Sequence, residues 1–283
     1  MAITTLGILH PGAMGATIAA AAKPNVPHVL WASAGRSGAS VKRAQAHGLE
    51  DAGTVAELVR RSDLIVSVCP PHAAEDVAAE VAALEFRGVF VDANAVAPAR
   101  GHTMAARIAQ GGGRFVDGGI IGGPVSRPGT TRLYLSGDGA ADVAACFAGG
   151  PLSALVLEGG VGAASALKMA YAAQTKGYTA LLAATLAFAR AEGVEAALLK
   201  EWEASGLSKR AFTSLEGAAP KAWRWVAEMH EIADSFEAAG LPRGFHEAAA
   251  DLYRRLESHA DEATPAAGSA LVQELLDAGQ PVR

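Results

Sequence analysis

Residues 4–19 read TTLGILHPGAMGATIA, an apolar run that turns through two glycines into an alanine-rich segment. This pattern predicts a β-strand, a tight turn and a helix. Gly12 would let the backbone approach a phosphate group, and Gly15 would let the helix pack closely on the strand. The start of the helix would offer N–H groups to an anion. The stretch therefore predicts the first unit of a dinucleotide-binding domain with cofactor contacts at Gly12, Ala13, Met14 and Gly15, although His10 replaces the first glycine of the usual G-x-G-x-x-G pattern.

The same pattern repeats through the first half of the chain. Short apolar runs alternate with amphipathic segments, which predicts right-handed crossovers and a doubly wound parallel sheet. The predicted strands are Thr4–His10, Val29–Ala32, Leu64–Val68, Val89–Asp92, Arg114–Asp117, Leu133–Ser136 and Ala154–Glu158. The predicted helices between them begin at Ala13, Ser37, Thr54, Ala73, Pro98 and Ala140.

The second half of the chain changes character after the glycine-rich stretch at 158–162. Residues 163–192 contain no proline and predict one long helix. The remainder, to Gln280, predicts shorter helices that are broken at Gly206, Gly217–Pro220, Gly240–Pro242 and Pro265. We therefore predict an α/β protein with a Rossmann domain over residues 1–160 and an all-helical substrate and dimerisation domain over residues 161–283, joined by the long helix.

Composition disfavours several classes of protein. The formal net charge of −5 disfavours general nucleic-acid binding, because phosphate backbones bind clustered Lys and Arg. Cys69 and Cys146 match no metal-binding spacing and fit a reducing compartment. The sequence has neither a secretory signal nor an apolar run of about 18 residues, the length of a membrane span. We expect a cytoplasmic protein with a small-molecule substrate, no metal, and no nucleic-acid or membrane partner.

The segment after the second predicted strand indicates which cofactor binds. NAD enzymes usually place a carboxylate there, about 20 residues after the glycine turn, to bind the ribose 2′-hydroxyl. This chain has Ser33, Arg36 and Ser37 instead. Hydroxyls and a guanidinium would bind a 2′-phosphate that a carboxylate would repel, so we predict NADP(H) over NAD(H). The alternative is that Arg36 is a solvated surface charge.

Two other predicted strands end in residues that suit a binding site. Cys69, Pro70 and Pro71 follow one strand, and Asn94 follows the next. Ligands of open α/β sheets bind beyond the carboxyl ends of the strands, so these residues should line the nicotinamide side of the site. Cys69 is better explained as a small packing residue than as a nucleophile.

Taken together, the motifs resemble those of the β-hydroxyacid dehydrogenase superfamily, which includes 3-hydroxyisobutyrate and 6-phosphogluconate dehydrogenases. The segments that carry the resemblance occur in the same order, and they are Gly12–Gly15, Asp92–Pro98, Asp117–Pro124, and Gly160–Gly162 followed by Lys168. The C-terminal half, with Lys221–Trp225 and Glu228–Ile232, resembles an uncharacterised branch of phosphogluconate dehydrogenase-like proteins.

The resemblance implies that Lys168 exchanges a proton with the substrate oxygen while hydride moves to or from C4 of the nicotinamide. Such a group is required because reducing a carbonyl leaves an alkoxide unless an acid protonates it. A buried ammonium also gives up its proton more readily than a solvated one. Tyr171 and Thr175 follow at helical spacings that would place all three side chains on one face. A solvated lysine is the alternative.

Several residues depart from the family pattern at the expected substrate site. Ala172 replaces an asparagine, Ile121 replaces a serine before a Gly-Gly pair, and His230–Glu231 replaces a Lys-Asp pair. The residues that the resemblance assigns to substrate are Gly122, Gly123, Tyr171, Thr175 and Glu231. Other candidates for binding a substrate carboxylate are Ser126, Arg127 and Thr130, unless residues 126–131 simply form a turn between strands.

Four aromatic residues and one methionine in the helical half have two interpretations. They would line an aromatic substrate pocket or, as apolar residues at helical spacing more often do, belong to the core or a subunit interface. The residues concerned are Trp223, Trp225, Met229, Phe236 and Phe245. Family members form dimers with interlocked helical domains, so the resemblance also implies a homodimer.

Three functional hypotheses follow. The first is an NADPH-dependent dehydrogenase or reductase acting on a small hydroxy acid or related carbonyl compound. The second is an imine reductase acting on a cyclic or aromatic imine, although such enzymes generally lack the lysine at position 168. The third is a protein that binds NADPH as a sensed ligand without catalysis, which would leave Lys168 unexplained.

Overall fold

The computed structural model describes residues 3–279. The chain divides into two compact units, Met1–Met169 and Ala170–Arg283. This division falls inside the long helix α7, Ala163–Ala191, whereas the predicted domain boundary at residue 160 lies just before that helix begins.

Within the described residues, the first unit is built on an eight-stranded sheet in the order β3-β2-β1-β4-β5-β6-β7-β8. Its strands are β1 Thr5–Ile8, β2 His28–Trp31, β3 Glu50–Asp51, β4 Leu64–Ser67, β5 Val89–Asp92, β6 Arg114–Gly122, β7 Thr131–Ser136 and β8 Leu152–Val156. Its helices, besides the start of α7, are α1 Ala13–Ala22, α2 Gly38–Ala46, α3 Val55–Arg61, α4 Ala74–Ala83, α5 Pro98–Gln110 and α6 Ala140–Ala145. The predicted Rossmann-type fold is confirmed.

The central strands β4 and β5 are apolar up to their last residues, Ser67 and Asp92, because both faces of the sheet are covered. Successive side chains of a strand point to opposite faces. In β4, Leu64 and Val66 therefore pack in one hydrophobic core and Ile65 in the other. β5 divides in the same way, with Phe90 on the side of Ile65. Near-continuous apolar runs are typical of parallel strands buried on two faces.

One strand pair departs from the predicted parallel sheet. β6 and β7 are antiparallel, with Asp117 opposite Ser136 and Gly122 opposite Thr131. Only residues 123–130 connect them, which is too short for the crossover of a dozen or more residues that parallel strands need. β6 also continues past Asp117, where the predicted strand ended, and the polar strand β3 was not predicted.

The second unit is helical, as predicted. After α7 it contains α8 Glu195–Glu203, α9 Leu207–Ala218, α10 Ala222–Ala238, α11 Gly244–Arg254 and α12 Gly268–Asp277. The predicted breaks at Gly206, Gly240–Pro242 and Pro265 fall between these helices, and Gly206 and Gly240 adopt positive φ angles of 69° and 75°. The predicted break at Gly217–Pro220 begins two residues too early, because Gly217 and Ala218 still belong to α9. The long helix was predicted to end at about residue 192, and α7 ends at Ala191. Gln280, the predicted end of the helical region, lies outside the described residues. From residue 3 to residue 279, no helix combines the length and apolar character that a membrane crossing requires.

Candidate cofactor site and active site

The turn between β1 and α1 has the geometry of a phosphate-binding loop. Gly12 caps the N-terminus of α1, and its N–H donates to the carbonyl of His10 at 2.8 Å. A Cβ on Gly15 would lie 2.3 Å from that carbonyl oxygen, so only glycine lets the helix start this close to the strand. A Cβ on Gly12 would meet nothing within 4 Å. The space in front of the first turn, where Ala13 and Met14 lie, is therefore open to a ligand.

Between β2 and α2 the predicted cofactor residues form a turn followed by a helix cap. The N–H of Arg36 donates to the carbonyl of Ser33 at 3.0 Å, and the hydroxyl of Ser37 accepts from the N–H of Ser40 at 3.3 Å. Serine is among the residues favoured at this capping position. The cap places the hydroxyl of Ser37 and the guanidinium of Arg36 at the start of α2.

Arg43 is a residue that the sequence did not reveal. Its Nε donates to the carbonyl of Pro11 at 3.1 Å, and its guanidinium also donates to the hydroxyl of Ser40 at 3.3 Å. These bonds fix the start of α2 against the glycine turn and bring a second positive charge beside it. Arg43 is distant from Pro11 in sequence, and only the pairing of β1 with β2 brings the two segments together.

Two buried polar atoms in this region test whether a dinucleotide fits. His10 Nδ1 and Arg36 Nε have no hydrogen-bond partner among residues 3–279. Burial, and then the nearby charge of Arg36, lower the pKa of His10 to about 4. The imidazole is therefore neutral at pH 7 and lies within the field of the guanidinium. Buried polar groups normally have partners, so these atoms, beside an open phosphate-binding turn, fit a bound nucleotide.

Asn94 joins the carboxyl ends of β4 and β5. Its amide nitrogen donates to Asp92 Oδ1 at 2.5 Å and to the hydroxyl of Ser67 at 3.2 Å. Its amide oxygen accepts the N–H of Cys69 at 2.6 Å. Because both ends of the amide are engaged, Asn94 holds the loop of Cys69 and Pro70 in place. Direct contact of these three residues with the cofactor stays a prediction.

The pKa values of two ionisable groups at this edge, Cys69 and Asp92, are raised, which favours their neutral forms. Burial raises the pKa of the Cys69 thiol to about 11, which agrees with a packing role. Asp92 is fully buried, and burial raises its pKa to about 7. Hydrogen bonds from Asn94 act in the opposite direction, but the loss of hydration outweighs them, and the neighbouring carboxylate of Asp117 adds to the rise.

Asp117 anchors the start of α7 and was not predicted as a site residue. Its Oδ2 accepts the N–H groups of Gly162 and Ser165, at 3.0 and 2.9 Å, and the hydroxyl of Ser136 at 3.1 Å. Its Oδ1 accepts the hydroxyl of Ser165 at 2.5 Å. A carboxylate at the N-terminus of a helix satisfies free N–H groups and interacts favourably with the helix dipole.

Lys168 lies about one turn after Ser165 on α7. A Cβ on Gly119 of β6 would lie 3.1 Å from Lys168 Cβ and 2.6 Å from the carbonyl oxygen of Ala164. Only glycine on β6 permits this close packing, which fixes the position of the lysine backbone. Lys168 is half-buried, so it is not the fully solvated lysine of the alternative interpretation.

The predicted substrate loop follows β6. Gly122 has a φ of 121°, and a Cβ there would lie 2.3 Å from the carbonyl oxygen of Thr130. The carbonyl of Gly123 accepts the hydroxyl of Thr131 at 2.7 Å. Ser126 and Arg127 are exposed, and the hydroxyl of Thr130 donates to the carbonyl of Arg127. The segment is thus a turn between strands, as one interpretation held, and a role in substrate binding stays a prediction.

The remaining predicted substrate residues belong to the second unit. Tyr171 is exposed, and the hydroxyl of Thr175 donates to its carbonyl at 3.1 Å. Glu231 is buried on α10. Their contact with substrate and their grouping with Lys168 stay predictions.

Most of the aromatic group is part of the packing of the second unit. The rings of Trp225 and Tyr253 meet edge to face at 5.1 Å, and Met229 is fully buried. Phe236 packs on His246 at 4.3 Å. Trp223 and Phe245 are exposed.

A buried ion pair in the second unit was also missed. Lys176 Nζ lies 2.6 Å from Glu228 Oε1 and 5.2 Å from the ring centre of Trp225. The sequence contains no local signal for this pair, because α7 and α10 are far apart along the chain.

Comparison with known proteins identifies the first unit. Residues 4–145, half of the chain, match the NAD binding domain of 6-phosphogluconate dehydrogenase. The chain belongs to this family. The glycine turn and the β2–α2 segment of this 6-phosphogluconate dehydrogenase-like protein both lie inside the matched region. Membership of the family makes the protein an NAD(P)-dependent dehydrogenase. Residues 189–256 match a domain of unknown function, DUF1932. No curated protein matches the chain.

Several solved structures share this fold. A conserved hypothetical protein from Sinorhizobium meliloti 1021 is 26% identical with a TM-score of 0.69, covering 97% of this chain and 96% of the other. Mycobacterium tuberculosis 3-hydroxyisobutyrate dehydrogenase with L-serine is 17% identical with a TM-score of 0.71, covering 97% and 99%. An Aspergillus terreus reductive aminase in complex with NADPH and ethyl levulinate is 20% identical with a TM-score of 0.56, covering 95% and 98%.

Proposed function

We propose that this protein is an NADPH-dependent oxidoreductase that transfers hydride between the nicotinamide and a small hydroxy acid or related carbonyl compound, acting on a CH–OH group. The observation that carries the proposal is the placement of Lys168. It is half-buried in the same unit as the glycine turn, and it is held there by the Asp117 anchor and the Gly119 contact.

The cofactor supplies or accepts the hydride when it is bound. The residues of this chain would hold it and move the proton. The N–H groups at the start of α1 would bind the pyrophosphate, and the Cys69–Pro70 loop braced by Asn94 would border the nicotinamide. Lys168 would donate a proton to the substrate oxygen during reduction and accept it during oxidation. The backbone of Gly122 and Gly123 would orient the substrate.

The choice of NADPH rests on the charges around the β2–α2 segment. Arg36 and Arg43 are beside the glycine turn, and residues 32–37 include no Asp or Glu to bind a ribose 2′-hydroxyl. Ser33 and Ser37 add hydroxyl groups. Guanidinium groups bind phosphate through paired hydrogen bonds, so this environment favours the 2′-phosphate.

The test replaces Lys168 with alanine and, separately, with arginine. We expect both variants to bind NADPH as the wild type does, measured by nucleotide fluorescence. Turnover of the best compound from a panel of β-keto and β-hydroxy acids should fall by roughly 10²- to 10⁴-fold, the usual contribution of a general acid or base. Lys200→Ala, an exposed lysine on α8, is the matched control. Near-wild-type turnover by Lys168→Ala would rule out this mechanism.

An imine reductase is the second candidate, favoured by the buried Ile121 at the position where the family pattern has a serine. The fold is also shared with a Streptomyces aurantiacus imine reductase. An imine substrate requires hydride more than it requires a strong acid. Turnover of a cyclic imine that survives Lys168→Ala, with no turnover of any keto acid, would favour this candidate over the first.

We also propose a homodimer in the cytoplasm. The exposed face of α7 carries Leu181 and Phe188, which are 48% and 66% exposed. Large apolar groups along one helix face are typical of a surface that packs against a partner. A second copy of this helix is the partner that fits such a stripe.

Cys69 and Cys146 are both free thiols, which fits a reducing compartment.

A further inference from the structure

The turn after β1 holds a histidine where the dinucleotide-binding pattern has its first glycine. The backbone does not require glycine there, because the only non-glycine residues with positive φ in the described part of the chain are Glu85 and Asp261. The close approach in this turn is instead between Gly15 and the carbonyl oxygen of His10, so glycine is required at position 15. A side chain is therefore permitted at position 10, and its imidazole is partly buried beside the open turn.

The imidazole of His10 and the guanidinium of Arg36 act on each other. Each has a buried nitrogen, Nδ1 and Nε respectively, without a hydrogen-bond partner in residues 3–279. Burying such groups unpaired costs free energy, and a ligand that supplies acceptor atoms removes that cost. The two residues come from different segments, the end of β1 and the turn before α2, so the fold has brought them together at one end of the cofactor site.

We propose that His10 and Arg36 together receive the 2′-phosphate of NADPH, and that His10 takes up a proton when this phosphate binds. This inference rests on the proposed function, because it concerns the same cofactor. A phosphomonoester carries nearly two negative charges at pH 7 and has three acceptor oxygens. Guanidinium and imidazolium donors match both properties. NADH has a hydroxyl at that position and lacks the charge that would attract the proton.

The surroundings of His10 explain why the proton would arrive only with the phosphate. Arg36 faces it from the β2–α2 segment, and Arg43 of α2 binds the carbonyl of the next residue, Pro11. Helix α1 has no titratable residue, and the first titratable residue after β4 is Cys69, whose thiol is neutral. The free protein thus holds His10 neutral, with a pKa of about 4.

The sign of the pH dependence follows from this arrangement. A dianion offers the buried imidazolium a hydrogen-bond acceptor and opposes the charge of Arg36, which raises the pKa of His10, so the complex holds a proton that the free protein does not. Affinity for NADPH should then rise as the pH falls, by up to about tenfold per pH unit between the free and bound pKa values. Affinity for NADH should lack this dependence.

Isothermal titration calorimetry tests the proposal. Wild type and His10→Asn are titrated with NADPH and with NADH at about pH 7, above the phosphate's own pKa of about 6, in two buffers that differ in ionisation enthalpy. We expect wild type to take up protons with NADPH but not with NADH. In His10→Asn this uptake should disappear, and NADPH should bind about tenfold more weakly, the effect of losing one charge-assisted hydrogen bond. NADH affinity should change little.

Controls separate the outcomes. His28→Asn, at the start of β2 and in contact with Glu50, should behave as wild type. Any titration of the phosphate itself is common to all variants, so the difference between wild type and His10→Asn isolates the histidine. Equal proton uptake and equal NADPH affinity in the two proteins would overturn this inference and leave the cofactor assignment intact. If the wild type bound neither nucleotide, the proposed function itself would be overturned.

Discussion

Asp92 shows how strongly a single buried group can depart from its behaviour in water. Its carboxyl has no solvent exposure, and hydrogen bonds from Asn94 do not compensate for the lost hydration, so its pKa rises to about 7. The usual value is about 3.9. Neither the sequence of β5 nor the spacing of its residues reveals this shift, because it arises from burial and from the Asp117 carboxylate on the neighbouring strand β6.

We expect Asp92 to make the protein less stable as the pH rises. Between about pH 4 and pH 7 the folded protein binds a proton on Asp92 that the unfolded chain has lost, so the free energy of unfolding falls with rising pH, by at most about 1.4 kcal/mol per pH unit, and is constant above that range. Asp92→Asn keeps an acceptor at Oδ1 but cannot ionise. Denaturant unfolding at pH 5 and pH 8 should show a smaller loss of stability for this variant than for wild type.

The control for this comparison is Asp138→Asn, at an exposed aspartate after β7. It should follow the wild-type pH dependence. The same dependence in Asp92→Asn as in wild type would show that Asp92 is ionised in the folded protein.

At the scale of elements, the junction of β6 and α7 determines where Lys168 lies. Asp117 binds the free N–H groups at the start of the helix, and Gly119 lets β6 approach the turn that precedes Lys168. The sequence indicated the helix and its length. It did not indicate the anchor, because Asp117 and Ser165 are far apart in the chain and meet only through the pairing of β6 and β7 and the return of the chain along β8.

Asp117→Asn should therefore weaken this junction. An amide presents N–H groups where the helix needs acceptors, so we expect the free energy of unfolding to fall by about 1–3 kcal/mol, the cost of leaving a buried polar group unpaired. Turnover should fall with NADPH affinity nearly unchanged, because the glycine turn is untouched. Asp142→Asn, an exposed aspartate in the first turn of α6, is the matched control and should change stability by no more than about 0.5 kcal/mol. Unaltered stability in Asp117→Asn would exclude an anchoring role.

At the scale of the whole molecule, folding of one chain leaves an apolar face of α7 uncovered. Leu181 and Phe188 are one heptad apart and remain about half exposed or more, while Ala180, Leu182 and Ala187 beside them are buried. A heptad spacing keeps side chains on one side of a helix and suits a seam between two helices. The proposed homodimer depends on this surface.

The double substitution Leu181→Glu and Phe188→Glu should convert the proposed dimer to a monomer. Two charged groups on each copy would be buried without partners at the interface, and this costs more free energy than the apolar contact contributes. Size-exclusion chromatography with light scattering measures the mass, and circular dichroism checks that the helices remain. Leu84→Glu, at an exposed leucine after α4, should leave the mass unchanged. A wild-type protein that is monomeric at all concentrations would refute the dimer.

The amino-acid sequence by itself determined the local elements of this protein. Alternating apolar runs, the glycine turn at 12–15 and the proline-free stretch after 162 depend on neighbouring residues alone, so strands, helices and the family could be inferred from them. Tertiary structure decided the antiparallel pairing of β7, the contact of Arg43 with Pro11, the anchoring of α7 by Asp117 and the shifted pKa values of His10 and Asp92. Each of these depends on residues that are distant in the chain, and hydration, charge and steric contact take their final values only when the packed sheet brings those residues together.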